Sequence, residues 1–547
     1  MAKNDQHEQD THRAGCGCTP DLFMQMMERA GEELSRREFL KGVSLMGGAL
    51  ALGGLGGFAE TSTSLDDEAD AIYFGGSILT MVDEKDRPEA LAVKGGKIFK
   101  VGSLKSVMKT KGTSTRLIDL QGRCLMPGFF DPHSHVVMQA AKFAVANLDP
   151  KPIGEVGSIA DIQRILKNWI EEKRIKPGQW VIGWGYDDTG IEEQRHPNRH
   201  DLDKVSTEHP IVIIHISGHI LAGNSKMLEI AGITAKTPDP EGGVIQREPG
   251  SDEPNGVLEE LVMLLPLSKV PAPTPEEAME MLEKGLKFYA EAGITTAQDC
   301  AATKGTIKLL ETMARRGQLP IDVIAWPMYK AIDDELFERV ATARRIHKRL
   351  KLGGVKLTLD GSIQGYTAYL SEPYYKRAKN ILPHGDKCDG EIVEETLVAK
   401  DDAPLNASTI SQAPPKDVGY PSMTQEQVDG WLKRCDERNV PMQVHTNGDA
   451  ATDMLLEAVK KVRAKKPRPD LRTTIIHAQM MRDDQLDFAA KHGLTPSFFP
   501  IHVYFWGDRH RDLFLGPKRA ARLDPARSAL DRGLKITLHH DAPVAGI

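Results

Sequence analysis

Cysteine is scarce and scattered. The six residues, Cys16, Cys18, Cys124, Cys300, Cys388 and Cys435, show no spacing after residue 18 that a disulfide framework or a zinc knuckle requires. Cys16-Gly-Cys18 lies in a polar leader and reads as a disordered stretch before it reads as a metal or redox motif. Basic stripes interleaved with aromatics are also missing. Together with a mild net charge of -7, this argues against nucleic acid as a main partner. An unbroken apolar run of membrane-spanning length is absent too. The one candidate, Gly42 to Ala59, is interrupted by Gly42, Gly47, Gly48, Gly53, Gly54, Gly56 and Gly57, which weaken a helical span. What remains is ordinary globular composition, 40% hydrophobic and 27% charged over 547 residues, enough for one large domain and a smaller one.

Ser35-Arg36-Arg37-Glu38-Phe39-Leu40-Lys41, followed by that Gly/Ala/Leu-rich run, resembles a twin-arginine export signal. A charged region, a weakly apolar core and a small residue near a cleavage point, Ala59, follow in the required order. The pattern predicts export to the periplasm through the twin-arginine machinery, with membrane anchoring if the run stays uncleaved. It sets residues 1–60 aside as a leader.

Residues 61–124 read as a small β-sandwich-like domain. Its strand-like runs, Ala71–Phe74, Ala90–Val93, Lys97–Val101 and Arg116–Leu120, are separated by glycine turns. Residues 125–547 then alternate helix and strand patterns. Thr274-Pro-Glu-Glu277 opens a helix: Thr274 caps it, Pro275 suits the first helical position, and Glu277 completes a capping box. The helix should run to about Ala292 and stop at Gly293. Strands are expected at the apolar run Cys124–Phe130, taken as buried, and at Ile294–Cys300, Asp322–Tyr329, Gly354–Asp360, Val440–His445, Thr473–His477, Leu494–Phe499 and Lys535–Asp541. Eight strands alternating with helices predict an α/β fold, a TIM-like (β/α)8 barrel. Two insertions depart from a minimal barrel. Residues 150–270 carry strands of their own, and residues 370–423 read as a lid or a solvated loop. The chain stops six residues after Asp541, with no final helix to cover an eighth strand. The C-terminal part is therefore missing or its cover comes from elsewhere.

The chemistry concentrates at the ends of these strands. In Asp131-Pro-His133-Ser-His135 the two imidazoles, spaced i and i+2, project from one face and can grip one metal ion. His445, His477 and Asp541 each end a later apolar strand, and Lys356 lies within the fourth. Each alone has an ordinary structural reading. A histidine can be a buried hydrogen-bonded ring, Lys356 can pair with Asp360 four residues on, and Asp541 can cap a turn before Pro543. Their coincidence at separate strand ends favours a metal site. Softer candidates for substrate contact are His219 and Asn224 in the first insertion, where a helix cap and turn is the alternative. His502 follows the seventh strand, where packing is the alternative. Only His539, and not His540, shares the strand face of Asp541.

Five stretches carry a family resemblance. They are Leu125-Met-Pro-Gly-Phe-Phe-Asp-Pro-His-Ser-His135, Gly354-Val-Lys-Leu-Thr-Leu-Asp-Gly-Ser362, Val444-His-Thr-Asn-Gly-Asp449, Ile476-His-Ala-Gln479 and Leu538-His-His-Asp-Ala-Pro-Val544. The chain from about residue 70 onward resembles the amidohydrolase superfamily, and more narrowly the YtcJ-like amidohydrolase 3 group. The resemblance implies that His133, His135 and Asp541 hold one divalent ion and that His445 and His477 hold a second. It implies that a carboxylated Lys356 bridges the two, and that Asp541 is the general base and then acid. Two zinc ions suit this set, and manganese or iron also fits mixed nitrogen and oxygen donors. The implied activity is hydrolysis of a non-peptide, amide-type carbon–nitrogen bond in a small molecule. Two other readings stand beside it: a truncated, non-catalytic relative, and a lyase or isomerase using the same ions. Substrate and oligomeric state are not legible at this level.

Overall fold

The computed structural model describes residues 26–34, 68–376, 418–464 and 472–545, apart from 152, 217, 219, 241, 242, 344 and 345. The twin-arginine stretch, the glycine-rich run, His219 and most of the second insertion lie outside the described residues. The described residues fall into two compact units. The smaller lies within Phe39–Phe130 and Gly293–Thr295, and the larger within Met1–Glu38, Asp131–Ala292 and Thr296–Ile547.

In the smaller unit β1 (Ala71–Phe74) pairs antiparallel with β2 (Ala90–Lys94) and parallel with β4 (Arg116–Asp119), and β2 pairs with β3 (Lys97–Gly102). Gly95 and Gly96, at φ +57° and +72°, supply the left-handed pair that a tight β2–β3 hairpin needs. Ile72, Ala90 and Ala92 point into one core with Ala69 and Val107. β5 (Phe129–Phe130) hydrogen-bonds Gly293 through the Phe129 N–H at 2.9 Å. Here the structure corrects the sequence reading of Cys124–Phe130 as a buried strand. Only two residues are strand, and Phe129 and Phe130 are 54% and 64% exposed. An apolar run shows affinity for a cover, while burial depends on which neighbours are supplied.

In the larger unit the first insertion is a folded sheet of β6 (Ala146–Asn147), β7 (Val181–Tyr186), β8 (Ile211–His215), β9 (Ile220–Gly223), β10 (Gly243–Arg247) and β11 (Pro254–Glu260), in the order β10-β11-β9-β8-β7-β6. β8 reads as a continuous apolar run because both its faces are covered. Ile211 and Ile213 enter one core, Val212 and Ile214 the other.

Parallel strands carry the rest: β12 (Ile294–Ala302, its first two residues in the smaller unit), β13 (Asp322–Pro327), β14 (Leu350–Leu352), β15 (Val355–Thr358), β16 (Met442–Thr446), β17 (Thr473–His477), β18 (Thr495–Phe498) and β19 (Thr537–Leu538). β12 to β14 pair in sequence, β15 to β19 pair in sequence, and a parallel bridge between Met328 and Lys356 joins the two runs. Gly353 and Gly354 let the chain bend there. A Cβ on either would lie 2.5 Å from the Trp326 ring, and one on Gly354 would lie 2.1 Å from Pro441 O. Helices follow most of these strands. The helix Pro275–Glu291 preceding β12 has the expected Thr274–Glu277 capping box and ends before Gly293 at φ +81°.

Residues 26–34, inside the segment assigned to the leader, form a helix packed into this unit. Met27, Ala30 and Leu34 are buried. The Glu28 carboxylate accepts the Gly305 N–H at 2.8 Å, at the electropositive start of the helix Lys304–Arg316. Among the described residues no helix is long and apolar enough to cross a membrane.

Candidate metal centre

Parallel strands aligned in register bring their C-terminal ends together, and the candidate ligands sit there. The segment Asp131–His135 runs beside β12, with Asp131 N donating to Thr296 O at 2.9 Å and a bridge between Ser134 and Asp299. His135 N donates to Ala542 O at 2.8 Å, which fixes this segment against the residue after Asp541. The Nε2 atoms of His133 and His135 lie 3.2 and 3.3 Å from one oxygen of Asp541. That is close to the edge of a tetrahedral ligand set with bonds of about 2.0–2.1 Å. Donor atoms of His133, His477 and Asp541 lie within 4.8 Å of one another. His445 is adjacent, its ring centroid 4.5 Å from that of His477. His133, His135, Lys356, His445, His477 and Asp541 are all buried. Of the six residues read from sequence, His445 and His477 lie at the ends of β16 and β17, Lys356 lies within β15, His133 and His135 follow β5, and Asp541 follows β19.

Their charge states suit a divalent cation. Burial, and then the neighbouring Lys356, push His133 down to about 3, so its imidazole is neutral. Burial opposes ionisation of Asp541, but the His133 and His135 rings beside it outweigh burial and hold the carboxyl well below its usual range. Neutral imidazoles and an ionised carboxylate are the states a metal ligand requires. Lys356 Nζ is fully buried and has no hydrogen-bond partner among the described residues. Asp360, its alternative partner, is engaged elsewhere. It accepts from His445 Nδ1 (3.1 Å) and from the N–H groups of Asn447 (3.0 Å), Gly448 (2.7 Å) and Tyr369 (3.0 Å). The Lys356–Asp360 ion pair, the structural alternative for this lysine, is not formed.

The profile of the amidohydrolase family matches residues 116–547. The chain belongs to the amidohydrolase family. Over 87% of its length it is 27% identical to the YtcJ protein of Bacillus subtilis (strain 168), covering 81% of that protein. It is 25% identical to the N-substituted formamide deformylase of Arthrobacter pascens, with 87% of this chain and 81% of that one covered. Its fold is similar to that of an uncharacterized metal-dependent hydrolase from Pyrococcus furiosus (TM-score 0.63, 20% identity, 87% of this chain and 86% of that one). Family membership and the donor set together make this a metal-dependent hydrolase.

Around its ligands the amidohydrolase places partners that sequence reasoning missed. Gln443 Oε1 lies 3.2 Å from His133 Nδ1, and Gln443 Nε2 donates to Gln298 Oε1 at 3.0 Å, which also accepts from Trp326 Nε1. With Asp360 on His445, these contacts suit a ring proton on Nδ1, which turns Nε2 of His133 toward Asp541 and Nε2 of His445 toward the Asn447 amide at 3.4 Å. The only available signal was position. Gln443 sits two residues before His445, on the same face of β16.

The substrate candidates fare differently. Asn224 is occupied as the cap and turn alternative has it. Its Oδ1 accepts from Ile211 N and Met227 N (3.0 Å each), and its Nδ2 donates to Ser206 O (2.8 Å) and His209 O (2.9 Å). Both donors and both acceptor sites are used, so no capacity remains for a substrate. His502 is buried on the helix Ile501–Arg509, 2.7 Å from His510 Nε2 through its Nδ1. The Phe499 ring packs against both His502 and His477, at 5.2 and 5.8 Å. A second His/Asp group, Asp187, Asp188 and His215, lies at the ends of β7 and β8. Its carboxylates are already held, Asp187 by Arg509 (2.8 Å) and Asp188 by His215 (3.1 Å).

Proposed function

We propose that this amidohydrolase cleaves a non-peptide, amide-type carbon–nitrogen bond in a small molecule, at a centre that takes two divalent ions, preferentially zinc. One observation carries the two-ion reading: Lys356 Nζ is buried near the neutral His133 imidazole with no hydrogen-bond partner among the described residues. A buried ammonium there would repel a cation and be left unsolvated. Reaction of the neutral amine with carbon dioxide, losing one proton, makes an anionic carbamate whose oxygens suit two ions. His133, His135 and Asp541 would hold one ion, His445 and His477 the other, with Lys356 between. We extend the same reading to the scaffold, a closed (β/α)8 barrel with a separate small N-terminal β domain.

When bound, divalent ions supply a water of lowered pKa and a Lewis acid for the carbonyl. The chain's own residues do the rest. Asp541, ionised, accepts the proton of the attacking water and returns it to the departing nitrogen. The neutral His133 is prevented by burial from competing for that proton.

The relationship to an N-substituted formamide deformylase supports the amide class and puts N-substituted formamides first in a substrate panel. The test is elemental analysis of the purified protein, followed by that panel scored for water-dependent release of an amine. About two metal equivalents with amine release is the expected result. Absence of bound metal in folded protein would end this reading, and product formation without water uptake would move the chemistry to a lyase or isomerase.

We also propose export through the twin-arginine machinery. Replacing both Arg36 and Arg37 by Lys should retain the protein in the cytoplasmic fraction. Unchanged fractionation of that variant would refute the signal.

A further inference from the structure

We infer that His539, backed by Ser497, is the positioning residue that sets the tautomer of His477 and so presents its Nε2 to an ion. This inference rests on the metal-centre reading above. His539 follows β19, and its N–H donates to Phe498 O at 3.0 Å, so the backbone continues the ladder with β18. Its ring is buried and stacks on Phe499, with centroids 5.1 Å apart. Both ring nitrogens are engaged. Nε2 lies 3.1 Å from His477 Nδ1, and Nδ1 lies 2.9 Å from Ser497 Oγ.

Proton bookkeeping chooses between the arrangements this chain allows. If His539 carried its proton on Nε2, His477 Nδ1 would be the acceptor. The His477 proton would then sit on Nε2, where it excludes a cation. In the other arrangement His477 Nδ1–H donates to His539 Nε2, and His539 Nδ1–H donates to the Ser497 hydroxyl oxygen. His477 Nδ1 and both His539 nitrogens are then satisfied, and His477 Nε2 keeps its lone pair. The partners of the neighbouring ligands do the same by other means, a carboxylate on His445 and a carboxamide on His133. His477 alone of these three leans on a second imidazole. His539 thereby acts through His477, as outer partners of metal-bound histidines do.

Two substitutions separate this role from packing. His539→Phe keeps a ring against Phe499 and removes the acceptor. His539→Gln removes the ring and keeps an acceptor oxygen near the position of Nε2. The measurements are zinc affinity of the full chain by chelator competition, and the visible spectrum of the cobalt-substituted protein, which reports ligand geometry. His539→Phe should bind zinc about 10–100-fold more weakly and shift the cobalt spectrum, while His539→Gln should stay near wild type. Ser497→Ala should weaken zinc in the same direction by a smaller factor, and it decides the question if the His539 variants do not fold. Wild-type affinity in His539→Phe, loss in His539→Gln alone, or no change in Ser497→Ala where only that variant folds, would overturn the inference. A wild-type protein that binds neither zinc nor cobalt would instead overturn the metal-centre reading itself.

Discussion

Asp541→Asn should leave a folded protein whose kcat, measured at saturating zinc, is lower by about 10²–10⁴-fold. The side chain keeps its shape and one oxygen. His133 and His135 Nε2, now 3.2 and 3.3 Å from that carboxylate, would still converge on it. What is lost is the charge and the capacity to carry a proton. The wild-type carboxyl is held ionised by the two adjacent imidazoles against the opposing effect of burial, so it is in the base form near neutrality. His133, pushed down to about 3, cannot substitute as a proton carrier at that pH. Measuring kcat against zinc concentration separates the roles. If zinc restores kcat to within tenfold of wild type, Asp541 is a ligand and not the proton carrier. If the deficit persists at full metal occupancy, the proton-transfer role stands.

Lys356→Met should have opposite effects on the metal-free and metal-loaded protein. Without metal, the wild type buries an amine that has no hydrogen-bond partner among the described residues, and an apolar chain of similar length removes that burden. The apo variant should therefore resist denaturant at least as well as apo wild type. With metal, the variant should lose the second equivalent. At zinc concentrations of 100–1,000 times Kd, the binding of one ion stabilises by about 2.7–4.1 kcal/mol, and that increment should vanish. Urea unfolding with and without zinc and bicarbonate, alongside elemental analysis, gives both halves. Two equivalents in the variant, or a destabilised apo form, would show that Lys356 is a structural residue.

The legible part of this protein was local. The i, i+2 spacing of His133 and His135 needs only strand geometry to place both rings on one face. The Thr274–Glu277 capping box and the glycine pair at residues 95 and 96 act within a few residues, and each appears where the sequence puts it. The same alternation rule singled out His539 over His540 as the neighbour of Asp541. It did not say that His539 would meet His477 through a ring nitrogen at 3.1 Å.

The illegible part was distant. Gln443 reaches His133 across 310 residues of chain, and Ser497 reaches His539 across 42. The exposure of Phe129 and Phe130, the packing of residues 26–34 and the full occupation of the Asn224 amide depend likewise on partners that no local pattern specifies.

By itself the amino-acid sequence determined the α/β class, most strand positions and the six candidate ligands. Backbone periodicity and strand ends follow from short-range sterics and hydrogen bonding. Only the tertiary structure decided how those side chains meet and which partners their ring nitrogens face. It put both Nε2 atoms on one Asp541 oxygen, left Lys356 without a partner among the described residues while Asp360 turned to His445, and placed His539 behind His477. Those outcomes depend on contacts between segments far apart in the chain, and on the loss of water around them. Both arise only when the strands have packed side by side.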